Sequence, residues 1–411
     1  MATERAYWLA WSQIKHVGPV TIKRLWEHFG SLALAWQANA GDLLSVDGIG
    51  LLVAERITAQ RPKLNPEALL AKHEQENEAF WTPADPDYPA LLFAINDPPP
   101  VLYYRGQLRL NDPNHLSVGI VGTRRPSAYG KRWTGRLSRA LSDQGAIIVS
   151  GLAAGIDTEA HTSCLYGGGL TVAVMGTGVD VVYPARNKGL YRQVMASGLV
   201  VSEYPDGTGP DRAHFPQRNR IIAGLSRATL VTEAPTKSGA LITARLANDY
   251  CREVYALPCS LDNEQGGGCL RLIDQGAQMI TGERALLEAL TCLPKVDVSG
   301  GHLVESKSAS RVSHLAMLDT AGLQDEVRPQ GEFDLRGEVA ATNAAIAPAT
   351  DAPELTPQLR QVLNAVSVEP VLLDNVVADS NLETGDVLAA LVQLEISGLV
   401  VQLPGMQYQR A

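Results

Sequence analysis

No apolar run in this chain reaches the ~18–20 residues that crossing a bilayer requires, so no membrane association is expected. Met1-Ala2-Thr3-Glu4-Arg5 has no basic flank leading into an apolar stretch, so no secretory signal is expected either. The five cysteines, at 164, 251, 259, 269 and 292, form no CxxC pair and no metal-ligand spacing. An odd, scattered set fits reduced thiols in a cytoplasmic protein better than a disulfide framework. The chain also lacks the GxGxxG of a dinucleotide fold and the GxxxxGK[ST] of a P-loop. It shows no HxxxH, no nucleophile with its base and no acidic cluster. No metal and no cofactor are therefore expected. Aromatic residues are few, at 6%, and the net charge is −9, which on its face disfavours a nucleic-acid partner.

The charge is unevenly spread. Residues 1–117 carry 10 basic and 13 acidic side chains, residues 118–286 carry 18 and 14, and residues 287–411 carry 7 and 17. Only the middle is basic, so a phosphate-binding surface belongs there. At 411 residues, two or three domains are expected. Residues 1–65 read as a helical module. Its turns Val17-Gly18-Pro19-Val20 and Val46-Asp47-Gly48-Ile49-Gly50 look like helix-hairpin-helix (SAM-like) turns, whose open backbone suits a phosphate. The six prolines between Pro83 and Pro100 rule out a helix there, and a strand follows at 101–106. Residues 66–296 form the core. Short apolar runs at 116–121, 146–150, 170–175, 199–203, 229–233 and 253–257 alternate with helical segments at 129–143, 156–166, 187–196, 216–224 and 238–250. That alternation predicts an α/β fold, a Rossmann-like, doubly wound, mostly parallel sheet. Residues 297–354, rich in Ala, Ser, Gly, Thr and Pro, read as a flexible linker. Residues 355–411 read as a winged-helix domain, with helices at 356–367, 371–379 and 383–397 and then a hairpin. Its third helix carries Glu383, Asp386 and Glu395 and no cation, which favours a protein contact over DNA.

Open parallel sheets bind ligands at the carboxyl ends of their strands. After the first core strand come Gly122, Thr123, Arg124, Ser127 and Tyr129, a sharp turn, a cation and a helix cap. After the second come Gly151 and Gly155, with Asp157 and His161 four apart, as a structural pair or an acid–base pair. After the third come Gly176, Gly178 and Asp180. After the fourth, Arg218, Asn219 and Arg220 follow Pro216 in what reads as an opening helical turn. Two cations at the positive end of a helix call for an anion, so this pair is the strongest single sign of phosphate binding. After the fifth come Lys237, Ser238 and Gly239, another helix start open to an anion. Tyr129, Tyr183, Tyr204 and Phe215 lie in or beside these loops, as base platforms or as packing residues. A long anion-lined crest without catalytic parts suggests a polyanion.

Taken in order, Val121-Gly122-Thr123-Arg124, Ser150-Gly151-Leu152-Ala153-Ala154-Gly155-Ile156-Asp157, Gly176-Thr177-Gly178 with Tyr183-Pro184, Ser202-Glu203-Tyr204-Pro205, Phe215-Pro216-Gln217-Arg218-Asn219-Arg220-Ile221-Ile222 and Glu233-Ala234 with Ser238-Gly239-Ala240 resemble the DprA/Smf family over about residues 60–290. The chain departs from the family's Gly-Ser-Arg turn with Thr123 and from a late polar position with Leu270. The resemblance implies a non-enzymatic protein that binds single-stranded DNA, forms a homodimer and loads the RecA recombinase in natural transformation. It places the DNA pocket at Arg124, the Arg218–Arg220 helix start and Lys237. The alternatives are a nucleotide-binding or nucleotide-hydrolysing enzyme on the same core, and a protein scaffold working through its acidic C-terminus.

Overall fold

The computed structural model describes residues 2–112, 115–293, 357–367, 371–380, 399–403 and 407–410, and Leu382, Val387, Ala390, Leu391 and Leu394 between them. Those up to 293 form one compact unit and those from 357 a second. The expected linker at 297–354 lies outside the described residues, as do Glu383, Asp386 and Glu395 of the third winged-helix segment.

The first unit is built on nine strands: β1 (Phe80–Trp81), β2 (Leu102–Gly106), β3 (Ser117–Gly122), β4 (Ile147–Ser150), β5 (Thr171–Met175), β6 (Leu199–Ser202), β7 (Ala228–Glu233), β8 (Glu253–Ala256) and β9 (Gln278–Met279). Their order is β1-β2-β6-β5-β4-β3-β7-β8-β9. From β6 to β9 all pairs are parallel, while β2 runs antiparallel to β6 and β1 antiparallel to β2. The six expected core strands are all present to within a residue or so. Short β1 and β9 were not expected, since two-residue strands carry no readable period.

The helices are α1 (Glu4–Ser12), α2 (Pro19–Phe29), α3 (Leu32–Gln37), α4 (Ala40–Leu44), α5 (Leu51–Gln60), α6 (Pro66–Glu76), α7 (Ala90–Phe93), α8 (Ala128–Asp143), α9 (Ile156–Tyr166), α10 (Lys188–Ser197), α11 (His214–Leu225), α12 (Gly239–Asp249), α13 (Gly267–Asp274) and α14 (Glu283–Thr291). The strands are apolar on both sides because both sides are covered. Val121, Ile147, Val149, Val172 and Val231 meet α11, α12 and α13, and Val118, Ile120, Ile148 and Leu230 meet α8, α9 and α14. Each such side chain contributes about 1.5–3 kcal/mol on burial. The proline-rich stretch does hold one helical turn, α7, which begins directly after Pro89 where the missing N–H costs nothing.

The N-terminal helices close round Trp8, Trp11, Leu25 and Leu32, with the Trp11 indole donating to the Leu32 carbonyl at 3.2 Å. This module is fixed to the sheet. Leu9 packs with Phe80, Val101 and Tyr103, and Arg5 donates to the Phe80 carbonyl at 2.9 Å. The boundary expected at 65–66 therefore falls inside one compact unit. In the second unit, α15 (Pro357–Ala365) and α16 (Leu373–Ser380) accompany an antiparallel sheet of β10 (Val371–Leu372), β12 (Gln407–Arg410) and β11 (Val400–Leu403).

Leu9 is 2% exposed at the seam between module and sheet. Leu9→Ala is expected to cost about 2–5 kcal/mol in denaturant melts of the whole unit. A loss confined to an early, partial transition would mean that the module folds separately.

Candidate nucleic-acid interface

The sheet reverses its winding between β3 and β7, and this is where a crevice opens in such folds. Glu233, at the end of β7, ties the crevice walls together. Its backbone carbonyl accepts the Thr123 N–H at 2.7 Å. Its carboxylate accepts the Ser127 N–H at 2.7 Å, the Ser127 hydroxyl at 2.6 Å and the Asn263 amide at 3.2 Å. Glu233 is 1% exposed, so it serves as a brace. The capping expected of Ser127 is present, its hydroxyl accepting the Gly130 N–H at 3.1 Å. Ser238 caps α12 in the same way, by accepting the Ala240 N–H at 3.3 Å.

Arg124 and Arg125 project from the turn between Gly122 and Ser127, both exposed. The Arg124 guanidinium lies 5.5 Å from the centroid of the Phe215 ring, and Phe215 lies 5.4 Å from Tyr183, which is 42% exposed. Tyr204 stacks on His214 at 3.9 Å beside them. A cation and four rings from the loops after β3, β5 and β6 thus converge at one end of the sheet. Tyr129 does not join them. Its hydroxyl donates to the Pro258 carbonyl at 2.9 Å and its ring packs on the core, so it is a packing residue.

Arg218 and Arg220 are placed otherwise than the sequence suggested. Helix α11 begins at His214, so neither arginine lies in its first turn. Arg218 is 4% exposed, and its guanidinium donates to the carbonyls of Gly151 and Val174. Arg220 is buried, bonded to Glu203 and to the Asp97 carbonyl. Their counter-charges come from within the protein, and no external anion is required. Asn219 donates to the Gly239 carbonyl at 3.2 Å and so ties α11 to the start of α12. Lys237 and Gly239 remain exposed at that helix start, and the space where Gly239 would carry a Cβ is open.

The glycines of the crest mostly serve internal contacts. A Cβ on Gly151 would strike the Arg218 guanidinium and one on Gly178 the Pro205 carbonyl, while one on Gly176 would press on the Phe215 ring. Gly155 has φ +85°, and a Cβ there would strike the Thr123 carbonyl. Nearby Leu152 is fully buried at φ +53°, an unusual conformation for leucine held by its packing.

Asp157 and His161 form neither an ion pair nor an acid–base pair. The Asp157 carboxylate accepts the N–H groups of Gly151 and Ala153, and burial raises its pKa against the pull of Arg218. His161 pairs with the Thr171 hydroxyl at 2.7 Å, and burial, with Arg218 nearby, holds its pKa down to about 3. Asp180 accepts the Gly207 N–H at 2.9 Å, Asp211 that of Ala213 at 2.7 Å, and Asp206 pairs with Arg105 at 3.1 Å. The carboxylates of these loops are engaged internally. By contrast Arg124, Arg125, Arg186, Lys188, Arg212 and Lys237 are exposed and form no ion pair among the described residues. The sequence pattern does not single out Arg125, Arg186, Lys188 or Arg212. Only their position after strands could have marked them.

Among the described residues no group of three or more His, Cys, Asp or Glu could hold a metal ion, and no helix is long and apolar enough to cross a membrane. A doubly wound sheet crested with free cations and aromatic rings defines a Rossmann-like protein whose ligand crevice is basic and aromatic. Residues 79–291 match the model of DNA recombination-mediator protein A, residues 346–406 that of the DprA winged helix domain and residues 10–60 a helix-hairpin-helix motif. The chain belongs to the DprA/Smf family. It is 50% identical over 411 residues to Protein Smf of Synechocystis sp., covering 99% of each chain. It is 40% identical over 229 residues to DNA processing protein DprA of Bacillus subtilis, covering 56% of this chain and 76% of that one. The X-ray structure of DprA from Streptococcus pneumoniae is similar at 34% identity with a TM-score of 0.60, covering 70% of this chain and 98% of that one.

Two measurements check this electrostatic layout. Arg218→Met leaves Asp157 buried without its cation and is expected to cost about 3–5 kcal/mol, whereas Arg124→Met should leave the thermal midpoint unchanged. His161 takes up a proton at 6.5 when unfolded but only at about 3 when folded. Its contribution to stability is therefore complete above pH 6.5 and is lost as pH falls through that window. His161→Gln is expected to flatten the fall in denaturant titrations, and an unchanged profile would remove His161 from the account.

Proposed function

We propose that this crest binds single-stranded DNA and that the protein hands the bound strand to the RecA recombinase, as in natural transformation. The observation that carries the reading is Arg124. It is exposed, forms no ion pair among the described residues and is set over the Phe215 ring, which packs in turn against Tyr183. Cations hold phosphates and ring faces hold unpaired bases, a combination suited to a single strand rather than a duplex. Arg125 and Lys237 extend the phosphate-binding surface, together with the α12 start at Ser238 and Gly239. Arg218, Asn219, Arg220 and the crest glycines support the surface from beneath.

The family's description as a recombination mediator supports delivery to a recombinase. We assign the protein a binding role with no catalysis, acting in the cytoplasm as a homodimer. The internal engagement of Glu233, Asp157 and His161 supports the absence of a catalytic group.

Fluorescence anisotropy with a labelled single strand and its duplex, at two salt concentrations, tests this reading. The single strand is expected to bind more tightly and to be weakened by salt. Arg124→Ala should lower affinity and reduce the slope of log K against log salt by about 0.7, the loss of one phosphate contact. Equal binding of strand and duplex, or an Arg124→Ala variant with unchanged affinity and slope, would overturn it.

A further inference from the structure

The outer face of α8 carries charge that the crest does not use. Lys131, Arg132, Arg136 and Arg139 are exposed along it, while Leu137 and Leu141 of the same helix are buried in the core. The three arginines stand at i, i+4 and i+7 and so fall on one stripe. Each guanidinium lies over an aromatic ring. Arg132 is 5.8 Å from the Tyr129 centroid, Arg136 4.6 Å from Trp133 and Arg139 5.0 Å from Tyr166. Tyr166 ends α9 and is 81% exposed, an unusual position for a large ring. Arg136 is bonded to Glu283 at 2.6 Å, whereas Lys131, Arg132 and Arg139 form no ion pair among the described residues.

Arginines four apart repel on a helix by a few tenths of a kcal/mol, so folding gains little from this spacing. An anionic partner would turn that repulsion into attraction. The stripe begins about one turn beyond Ser127, the cap that closes the Arg124 loop, on the helix that leaves the crest. From Arg132 to Arg139 it runs about 10 Å along the helix.

We propose that α8 extends the crest, its arginine stripe following the backbone of single-stranded DNA that overhangs the crevice, with Tyr166 as a base platform at the far end. This rests on the crest reading above. Exposed cations that lead to the exposed Tyr166 ring match a strand with unstacked bases better than an acidic protein face, which offers nothing to stack.

The test uses the full-length protein and two labelled oligonucleotides, of about 6 and about 20 nucleotides, which bracket most of the site sizes of single-strand-binding folds. Arg132→Ala with Arg139→Ala is expected to bind the short oligonucleotide within about twofold of wild type. It should lose about tenfold on the long one, with a salt slope lower by about 1.4, two phosphate contacts. Tyr166→Ala should weaken the long oligonucleotide with its slope kept, and Arg132→Lys with Arg139→Lys should restore the slope. If the double alanine variant binds the long strand like wild type while Arg124→Ala weakens both lengths, the α8 proposal falls and the crest stands. Equal losses on both lengths would also overturn the extension. If wild type binds neither oligonucleotide, both readings fall together.

Discussion

The crest depends on Glu233. The sheet winds outward in two directions from β3 and β7, and the loops that leave these strands would part without a link. One buried residue supplies it, with its carbonyl on Thr123 and its carboxylate on Ser127 and Asn263. Hydrogen bonds to a charged acceptor are the stronger kind, and here they are shielded from water. The Arg124 turn is thereby held from behind, and its two arginines face outward with their positions already set. Preorganised cations lose less freedom on binding a phosphate than cations on a loose loop.

The arginines are sorted by where their counter-charge lies. Arg218 and Arg220 find theirs inside, in carbonyls, Asp157, Glu203 and Asp97, and so become part of the frame. Burial pulls the Arg218 pKa down to about 10, which still leaves it charged at neutral pH. Arg124, Arg125, and Arg132 and Arg139 of the α8 stripe form no ion pair among the described residues and stay at the surface. The negative whole chain therefore presents a positive working face, because the acidic groups of the crest loops are occupied by N–H groups and internal cations.

Much of the core was legible in the sequence because strands buried on both faces read as continuous apolar runs. The cap at Ser127 was legible for a different, local reason, since a serine just before a helix supplies an acceptor for its free N–H groups. What failed were readings that needed a third dimension. The segment from Pro216 onward looks like a helix start, and the apparent conflict of two arginines with a helix dipole arose only because the first turn begins earlier, at His214. Burial of Arg218 depends on Gly151 and Val174, far away in the chain, and no local pattern shows it. Nor does the sequence reveal which aromatic rings meet. Tyr183 and Phe215 converge on Arg124, while Tyr129, nearer to it in sequence, turns away to Pro258.

The pairing of β3 with β7 has a consequence for the order in which the protein comes into being. Val118 lies beside Ala228, and Gly122 beside Glu233, more than a hundred residues further along. Strands β3 to β6 can pair as the chain emerges, but the crevice has only one wall until β7 arrives. Contacts so distant in sequence form late, after their loop-closure cost has been met. A chain still being synthesised, or one cut short before β7, has the Arg124 turn but not the brace behind it. The crest is in this way completed only once most of the sheet is built.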